Sequence, residues 1–265
     1  MTLKVTILGC GSSGGVPRPG TGWGACDPAN PKNRRRRCSI LVEQKGSKGT
    51  TRILVDTSPD LREQLIDADV RHLDAILFTH DHADHTHGID DIRPLVIHMR
   101  KIIPAYATQV TESTLRQRFG YIFETPEGSD YPPIMTLWPM RPAHEVQIEG
   151  AGGMLTALPF SMEHGRGYEA LGFRFGNLAY ASDVSDLPRE AQERLQGLDV
   201  LVLDALRYTR HPTHFSVSEA LAMIETLKPR RAVLTNLHTD LDHAKLTAEL
   251  PEGVEAAFDG MELVI

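Results

Sequence analysis

The stretch Thr79-His80-Asp81-His82-Ala83-Asp84-His85 places three histidines and two aspartates within seven residues. It directly follows the apolar run at residues 75–78, which predicts a buried strand. In an extended loop the first two histidines point the same way, because they are two residues apart. If a helix begins at Asp84, its side chain and that of His85 diverge by about 100°, so a second ion can be held nearby. Imidazole and carboxylate groups suit zinc, manganese or iron, and the stretch predicts metal binding rather than an ordinary histidine-rich loop.

The bulk composition is that of a soluble globular protein, with 41% hydrophobic and 24% charged residues. A chain of 265 residues can bury a large core, and we predict a single domain over residues 1–265. The net charge of −7 argues against a general nucleic-acid binder. The three cysteines form no CxxC pair, which favours a reducing, cytoplasmic location. No apolar stretch approaches membrane-spanning length, so we expect no membrane association.

Two segments near the N-terminus suggest contact with an anion. The loop Gly9-Cys10-Gly11-Ser12-Ser13-Gly14-Gly15 follows the first predicted strand and has the spelling of a dinucleotide fingerprint. Because Val16-Pro17 breaks the helix that such a site requires, we interpret the loop as a tight turn near the metal centre. Its backbone amides, including those of Gly14 and Gly15, are suited to holding a phosphate. The basic run at residues 33–37 is either a solvated surface or a source of arginines for an anionic substrate.

Polar residues recur at the ends of predicted strands elsewhere in the chain. Strands that end together at one edge of stacked sheets build a site from residues that are distant in sequence. Asp56 at such an end is either a turn residue or a partner of a metal-ligating histidine. The residues in this position, besides the opening motif, are Asp56, His164, Asp183, Asp204 and His238.

The remaining segments alternate predicted helices with short strands, which favours an α/β fold. Residues 120–142 are different, because they contain several prolines and aromatic residues without a clear period. We interpret them as an insertion that acts as a lid, a dimer contact or a plain surface loop. The predicted helices lie at residues 60–68, 111–119, 188–195, 216–228 and 242–250.

The order and spacing of these groups resemble the metallo-β-lactamase superfamily, and the resemblance covers nearly the whole chain. It implies an α/β fold of the αββα type, a sandwich of two mixed sheets flanked by helices. It also implies two divalent metal ions, zinc or manganese. Asn236 and His243 remain alternatives to His238 at the last metal position. The implied ligands are His80, His82 and His164 for one ion, Asp84, His85 and His238 for the other, and Asp183 as the bridge.

Within the superfamily the chain is most similar to the phosphodiesterases of the carbon–phosphorus lyase pathway, which open 5-phosphoribosyl 1,2-cyclic phosphate. The shared marks are the glycine-rich opening up to Val16-Pro17, the arginines before Cys38-Ser39, and Phe258-Asp259-Gly260-Met261-Glu262. The resemblance implies that a hydroxide held by both ions attacks a small cyclic or nucleotide-like phosphodiester. The implied catalytic residues are Asp183 and, as general acid, His214. Candidate substrate-binding residues are Arg166, Arg207, Gly14 and Gly15.

Other functions fit the same motif. An RNA-processing endonuclease of the superfamily would favour a protruding basic arm, and the net charge of −7 counts against it. A thiolester or lactam hydrolase would leave His214 and the arginines without an evident role. A non-hydrolytic, metal-binding accessory protein of cofactor biosynthesis is also compatible with a complete ligand set. The expected partner is a small phosphoester, and a homodimer remains open.

Overall fold

The computed structural model describes residues 2–265, and its strands form two seven-stranded sheets. The strands are β1 (Thr2–Gly9), β2 (Ser39–Gly46), β3 (Gly49–Val55), β4 (Ala75–Leu77), β5 (Ile103–Ala107), β6 (Met135–Pro139), β7 (Val146–Gly150), β8 (Gly153–Glu163), β9 (Glu169–Phe175), β10 (Leu178–Ala181), β11 (Val200–Asp204), β12 (Arg231–Thr235), β13 (Val254–Ala256) and β14 (Glu262–Val264). The first sheet has the order β14-β1-β2-β3-β4-β5-β6, and the second has the order β13-β12-β11-β10-β9-β8-β7.

The helices are short and lie between the strands in sequence. None of those among residues 2–265 is long and apolar enough to cross a membrane. They are α1 (Leu61–Asp67), α2 (Ala83–Thr86), α3 (Arg93–Met99), α4 (Gln109–Phe123), α5 (Arg189–Arg194), α6 (Val217–Leu227) and α7 (His243–Glu249), with single 3₁₀ turns at Pro31–Asn33 and Ile89–Ile92.

Each sheet is antiparallel in one half and parallel in the other. In the first sheet β3 to β6 run parallel, and in the second sheet β10 to β13 do so. Parallel strands end at the same edge of their sheet. The loops that follow β3 and β4, and those that follow β10, β11 and β12, can therefore contribute side chains to a common site.

Three apolar layers hold the sandwich together. The alternation along β2 shows how, because Ile40 and Val42 face the space between the sheets whereas Leu41 packs toward the helices. The central layer also contains Phe173 and Val202 of the second sheet. Outer layers lie between the first sheet and α1, α3 and α4, and between the second sheet and α5, α6 and α7. This is the αββα sandwich of two mixed sheets that the family resemblance implies.

Residues 120–142 are predicted to be an insertion, and this is wrong for residues 120–123 and 135–139, which belong to regular elements. Helix α4 continues to Phe123, and Met135–Pro139 form β6, which pairs in parallel with β5 at the edge of the first sheet. The strand has no readable period because it is an edge strand in which only Met135 is buried and Trp138 is 52% exposed. By contrast, the predicted helix at residues 216–228 is confirmed, with Ser216 and Glu219 forming a capping box at its start.

Candidate metal centre

Two clusters of metal-ligating side chains share one carboxylate, that of Asp183. Within each cluster the potential ligand atoms lie within 4.8 Å of one another. Six of the seven ligands implied by the resemblance are thereby brought together. The histidine cluster contains His80, His82, His164 and Asp183, and the aspartate cluster contains Asp84, His85 and Asp183.

Asp183 lies at the centre of both clusters. Its Oδ2 is 3.2 Å from His85 Nε2, 3.7 Å from His80 Nε2 and 3.8 Å from His164 Nε2. Its Oδ1 accepts a hydrogen bond of 2.8 Å from the amide of Asn236. Burial alone would raise the pKa of Asp183, but His85 and the other neighbouring histidines hold it well below its usual range. The side chain is therefore a carboxylate, the form that ligates a metal.

The environment of His80 fits a bound cation. The single hydroxyl hydrogen of Thr79 goes to Asp56 Oδ2 at 2.8 Å, so His80 Nδ1 must be the donor in its 2.9 Å contact with Thr79 Oγ1. The lone pair is then on Nε2, which is buried and has no hydrogen-bond partner. Burial lowers the pKa of His80 well below its ordinary value and keeps the ring neutral. A buried, unprotonated nitrogen facing a carboxylate is the arrangement that a divalent metal satisfies.

His85 is surrounded by three carboxylates. Its Nδ1 donates to Asp56 Oδ2 at 2.7 Å, and its Nε2 lies 3.2 Å from Asp183 and 3.5 Å from Asp84. Burial lowers the pKa of His85, but Asp183, Asp84 and Asp56 together raise it well above the ordinary value. The site thus favours a positive charge next to Nε2, and Asp56 is the partner of a candidate histidine ligand rather than a mere turn residue.

The residues that follow three strands adopt left-handed backbone conformations. These are Asp56 after β3 with φ 64°, Asp183 after β10 with φ 55° and Asn236 after β12 with φ 61°. Residues other than glycine rarely adopt such angles, although Asn and Asp do so most readily. The turns bring their side chains to the centre instead of continuing the alternation of the strands, and such strain is concentrated at functional sites.

The orientation of the other two candidate histidine ligands, His164 and His82, also depends on specific contacts. His164 Nδ1 donates to the carbonyl oxygen of Thr213 at 2.8 Å, which leaves its Nε2 facing Asp183. The ring of His82 stacks on Tyr168 at 4.8 Å and 18° between planes, and the Tyr168 hydroxyl donates to the Asp81 carboxylate. No sequence pattern signals this role of Tyr168, which follows Gly165-Arg166-Gly167 in an irregular loop.

His214 forms a second histidine–aspartate pair beside the centre. Its Nδ1 donates to Asp204 Oδ2 at 2.8 Å, and the same oxygen accepts the backbone N–H of Val184 at 2.9 Å. Burial lowers the pKa of His214, but Asp204 outweighs it and raises the pKa to about 9. Because Nδ1 is directed at Asp204, Nε2 is the nitrogen available to a ligand, and the ring is protonated near neutral pH.

His238 is the seventh predicted ligand, and the structure places it outside both clusters. It donates from Nδ1 to Asp240 Oδ1 at 2.7 Å, while its Nε2 accepts from Arg18 Nη1 at 2.6 Å. Of the two alternatives, Asn236 contacts Asp183 through its amide, and His243 packs edge-on at 6.0 Å from the ring of Phe258. Only His238 of these three lines the cavity beside the clusters, and its role as a ligand stays a prediction.

A cavity of about 380 Å³ adjoins both clusters. Of the predicted substrate-binding residues, Arg207 lines it, whereas Arg166 is exposed and lies outside the lining. The lining also excludes Gly14 and Gly15, although the preceding residues of the same loop contribute to it. Ser12 and Ser13 line it as members of the loop predicted to hold a phosphate, whereas sequence reasoning assigned no role to the lining residues Arg18, His211 and Thr213.

The last three arginines of the basic run at residues 33–37 stabilise the fold. For these three, both interpretations of the run, a solvated surface and a source of arginines for an anionic substrate, are wrong. Arg35 is only 2% exposed and donates to the carbonyl oxygens of His238 and Leu241, at 3.1 and 2.7 Å. Arg36 pairs with Asp67 and Asp259, and Arg37 pairs with Asp60. None of these arginines lines the cavity. A guanidinium group can donate to several carbonyl groups at once, which explains why Arg35 is buried.

The comparisons with known proteins agree with this geometry. A family model described as the β-lactamase superfamily domain matches residues 51–236. The chain belongs to this superfamily. Among solved structures, a diphosphatase from the PhnP family is 35% identical, with a TM-score of 0.89, and the match covers 100% of this chain and 98% of that one. The chain is therefore PhnP-like as well as a superfamily member.

Two other relatives carry different names. An octanoyltransferase of Porphyromonas gingivalis strain ATCC BAA-308 / W83 is 33% identical over 99% of this chain, and this chain spans about half (52%) of that protein. The zinc-bound PqqB of Methylobacterium extorquens is 19% identical with a TM-score of 0.75, covering 98% of this chain and 99% of that one. At that identity the similarity establishes the fold alone. The chain thus combines membership of the β-lactamase superfamily with two adjoining clusters of side chains that could hold metal ions.

Proposed function

We propose that this protein is a dinuclear, metal-dependent phosphodiesterase that hydrolyses a small cyclic or nucleotide-like phosphodiester. The observation that carries the proposal is the carboxylate of Asp183, which is shared by two ligand clusters at the floor of one polar cavity. Sites with two neighbouring ions occur in phosphatases, polymerases and nucleases, and also in aminopeptidases. Divalent cations held there supply Lewis acidity and a nucleophile at neutral pH.

The residues around the clusters support phosphoester chemistry. His214 lines the cavity, and its protonated ring is suited to donating a proton to a leaving alkoxide. Asp204 fixes the ring and stabilises its positive charge. Arg207 supplies a cation at the same wall, which a phosphate needs and which a lactam or thiolester does not require.

The relatives support this substrate class in part. The 35% identical PhnP-family protein is described as a diphosphatase, so a phosphorus centre is the reacting group there. The name octanoyltransferase belongs to a protein about twice as long as this chain, and the three cysteines here are buried away from the cavity. We therefore give acyl transfer no role in the proposal.

A panel of substrates tests the proposal. Protein loaded with zinc or manganese is assayed with bis-p-nitrophenyl phosphate, a ribose cyclic phosphate, a structured RNA and a lactam. We expect chelator-sensitive hydrolysis of the two small phosphodiesters and none of the lactam. Faster cleavage of the RNA would favour the endonuclease, and full metal loading with no hydrolysis would favour an accessory protein. Either result would contradict the proposal.

A further inference from the structure

Arg18 is a cation at the cavity wall that no feature of the sequence singled out. It lies in the loop after Val16-Pro17 and lines the same cavity as Asp84 and Asp183. Its backbone is fixed by a reciprocal pair of hydrogen bonds with Gly22, both 2.8 Å long. The guanidinium is thus presented by a closed turn rather than by a free loop.

The contacts of the guanidinium leave donors for a ligand. Nη1 donates to His238 Nε2 at 2.6 Å, and Nη2 donates to Ser12 Oγ at 3.0 Å. Each terminal nitrogen carries two hydrogens, so one N–H remains on each of them among the contacts of residues 2–265. Two N–H groups on neighbouring nitrogens match two oxygens of a phosphoryl group.

Gly14 leaves room for this guanidinium because it has no side chain. A Cβ at Gly14 would lie 2.5 Å from Arg18 Nε and 3.0 Å from its Cζ. The side chain of Arg18 therefore passes over position 14 in van der Waals contact, and its Nε is buried there without a partner. Gly14 itself does not line the cavity, and its direct contact with a substrate stays a prediction.

We propose that Arg18 is the residue that binds the anionic oxygens of the substrate's phosphoryl group beside the metal centre. Ser12 holds the guanidinium through Nη2, and Gly14 leaves room for it. His238 accepts from Nη1 only while its Nε2 ligates no metal, because that nitrogen has a single lone pair. The cavity lining includes the carboxylates of Asp84 and Asp183, which repel a phosphate, and a fixed cation in the same lining offsets that repulsion. The proposal rests on the proposed function for the identity of the substrate, but not for the binding of the anion.

Titration with inorganic phosphate tests the proposal directly. Zinc-loaded wild-type protein, Arg18→Met and Arg210→Met are compared by isothermal titration calorimetry. Arg210 is the matched control, because it loses the same charge but is 88% exposed and lies outside the cavity lining. We expect phosphate to bind about tenfold more weakly to Arg18→Met, and within about twofold of wild type to Arg210→Met. Equal affinities for the two variants, or no binding of phosphate to the wild type, would overturn the proposal.

A second variant, Gly14→Ala, tests the contact between Gly14 and the Arg18 guanidinium without removing any charge. The added methyl group displaces the guanidinium, so phosphate affinity should fall while the melting temperature and the zinc content per chain stay near wild type. This variant decides the question if Arg18→Met does not fold, and unchanged phosphate affinity in it would then overturn the proposal.

Hydrolysis of bis-p-nitrophenyl phosphate separates this inference from the proposed function. Absent hydrolysis together with Arg18-dependent phosphate binding would contradict the phosphodiesterase and support the role of Arg18. Hydrolysis with an unchanged KM and unchanged phosphate affinity in Arg18→Met would contradict the role of Arg18 alone.

Discussion

Two histidine–aspartate pairs flank the centre, one from each sheet, and their geometry is nearly the same. His85 Nδ1 lies 2.7 Å from Asp56 Oδ2, and His214 Nδ1 lies 2.8 Å from Asp204 Oδ2. Both aspartates are fully buried. Yet one pair belongs to a ligand cluster and the other faces the cavity, so the pair by itself does not determine the role.

The surroundings make the difference. Nε2 of His85 faces the carboxylates of Asp183 and Asp84, whose charge a metal can balance. His214 is in neither ligand cluster and lines the cavity, where a proton donor can reach a substrate. A buried carboxylate can therefore orient a histidine either as a metal ligand or as a general acid, depending on what faces Nε2 of the ring.

The two carboxylates also differ in how their oxygens are used. Asp56 accepts from Thr79 N on Oδ1 and from Thr79 Oγ1 and His85 Nδ1 on Oδ2. Asp204 accepts from His214 and from the backbone N–H of Val184 on Oδ2 alone, and its Oδ1 has no partner. An asparagine with one acceptor oxygen can therefore replace Asp204 and keep its hydrogen bonds, but it cannot do so at Asp56.

The largest expected effect comes from His214→Ala, which removes the proposed proton donor. Turnover of an alkyl phosphodiester should fall by about 10², with no change in zinc content. The loss should be smaller for bis-p-nitrophenyl phosphate, since p-nitrophenolate leaves without needing a proton. Steady-state kinetics on both substrates measures this, and an equal loss on both would remove the general-acid role.

Asp56→Asn should weaken the metal centre. The amide N–H₂ group then faces either Thr79 N or the pair Thr79 Oγ1 and His85 Nδ1, which are donors themselves. The side chain at position 56 therefore orients the His85 ring less well. We expect the affinity for zinc to fall about 10–100-fold, as measured by competition with a chelator. The matched control is Asp204→Asn, which should bind zinc like the wild type. Equal losses in both variants would mean that the two pairs do not differ in role.

Asp204→Asn should change the pH dependence and little else. The Asp204 carboxylate raises the pKa of His214 to about 9 against the effect of burial, so the ring stays protonated up to that pH. Without the carboxylate the pKa falls, and the proton is lost at lower pH. The descending limb of the rate profile should therefore move from near pH 9 toward lower pH, with the rate at pH 6 least affected. A profile with an unmoved limb would contradict this assignment.

Some of the site was predictable because it is local in sequence. Residues 79–85 carry four of the candidate ligands on one loop after one strand, and the spacing alone indicates metal. His164 and Asp183 required the family resemblance as well. The structure adds Tyr168 and Arg18, which have no local signal, because their partners His82 and His238 lie in distant segments.

The sequence by itself determined the alternation of buried strands and amphipathic helices, the metal-binding motif and superfamily membership, since these depend on residue type and short-range period. Only the tertiary structure decided which arginines reach the cavity. Arg35 satisfies backbone carbonyls in the interior, Arg166 faces solvent and Arg18 faces the metal centre. A guanidinium group suits all three environments, so the fold of the surrounding loops assigns the role.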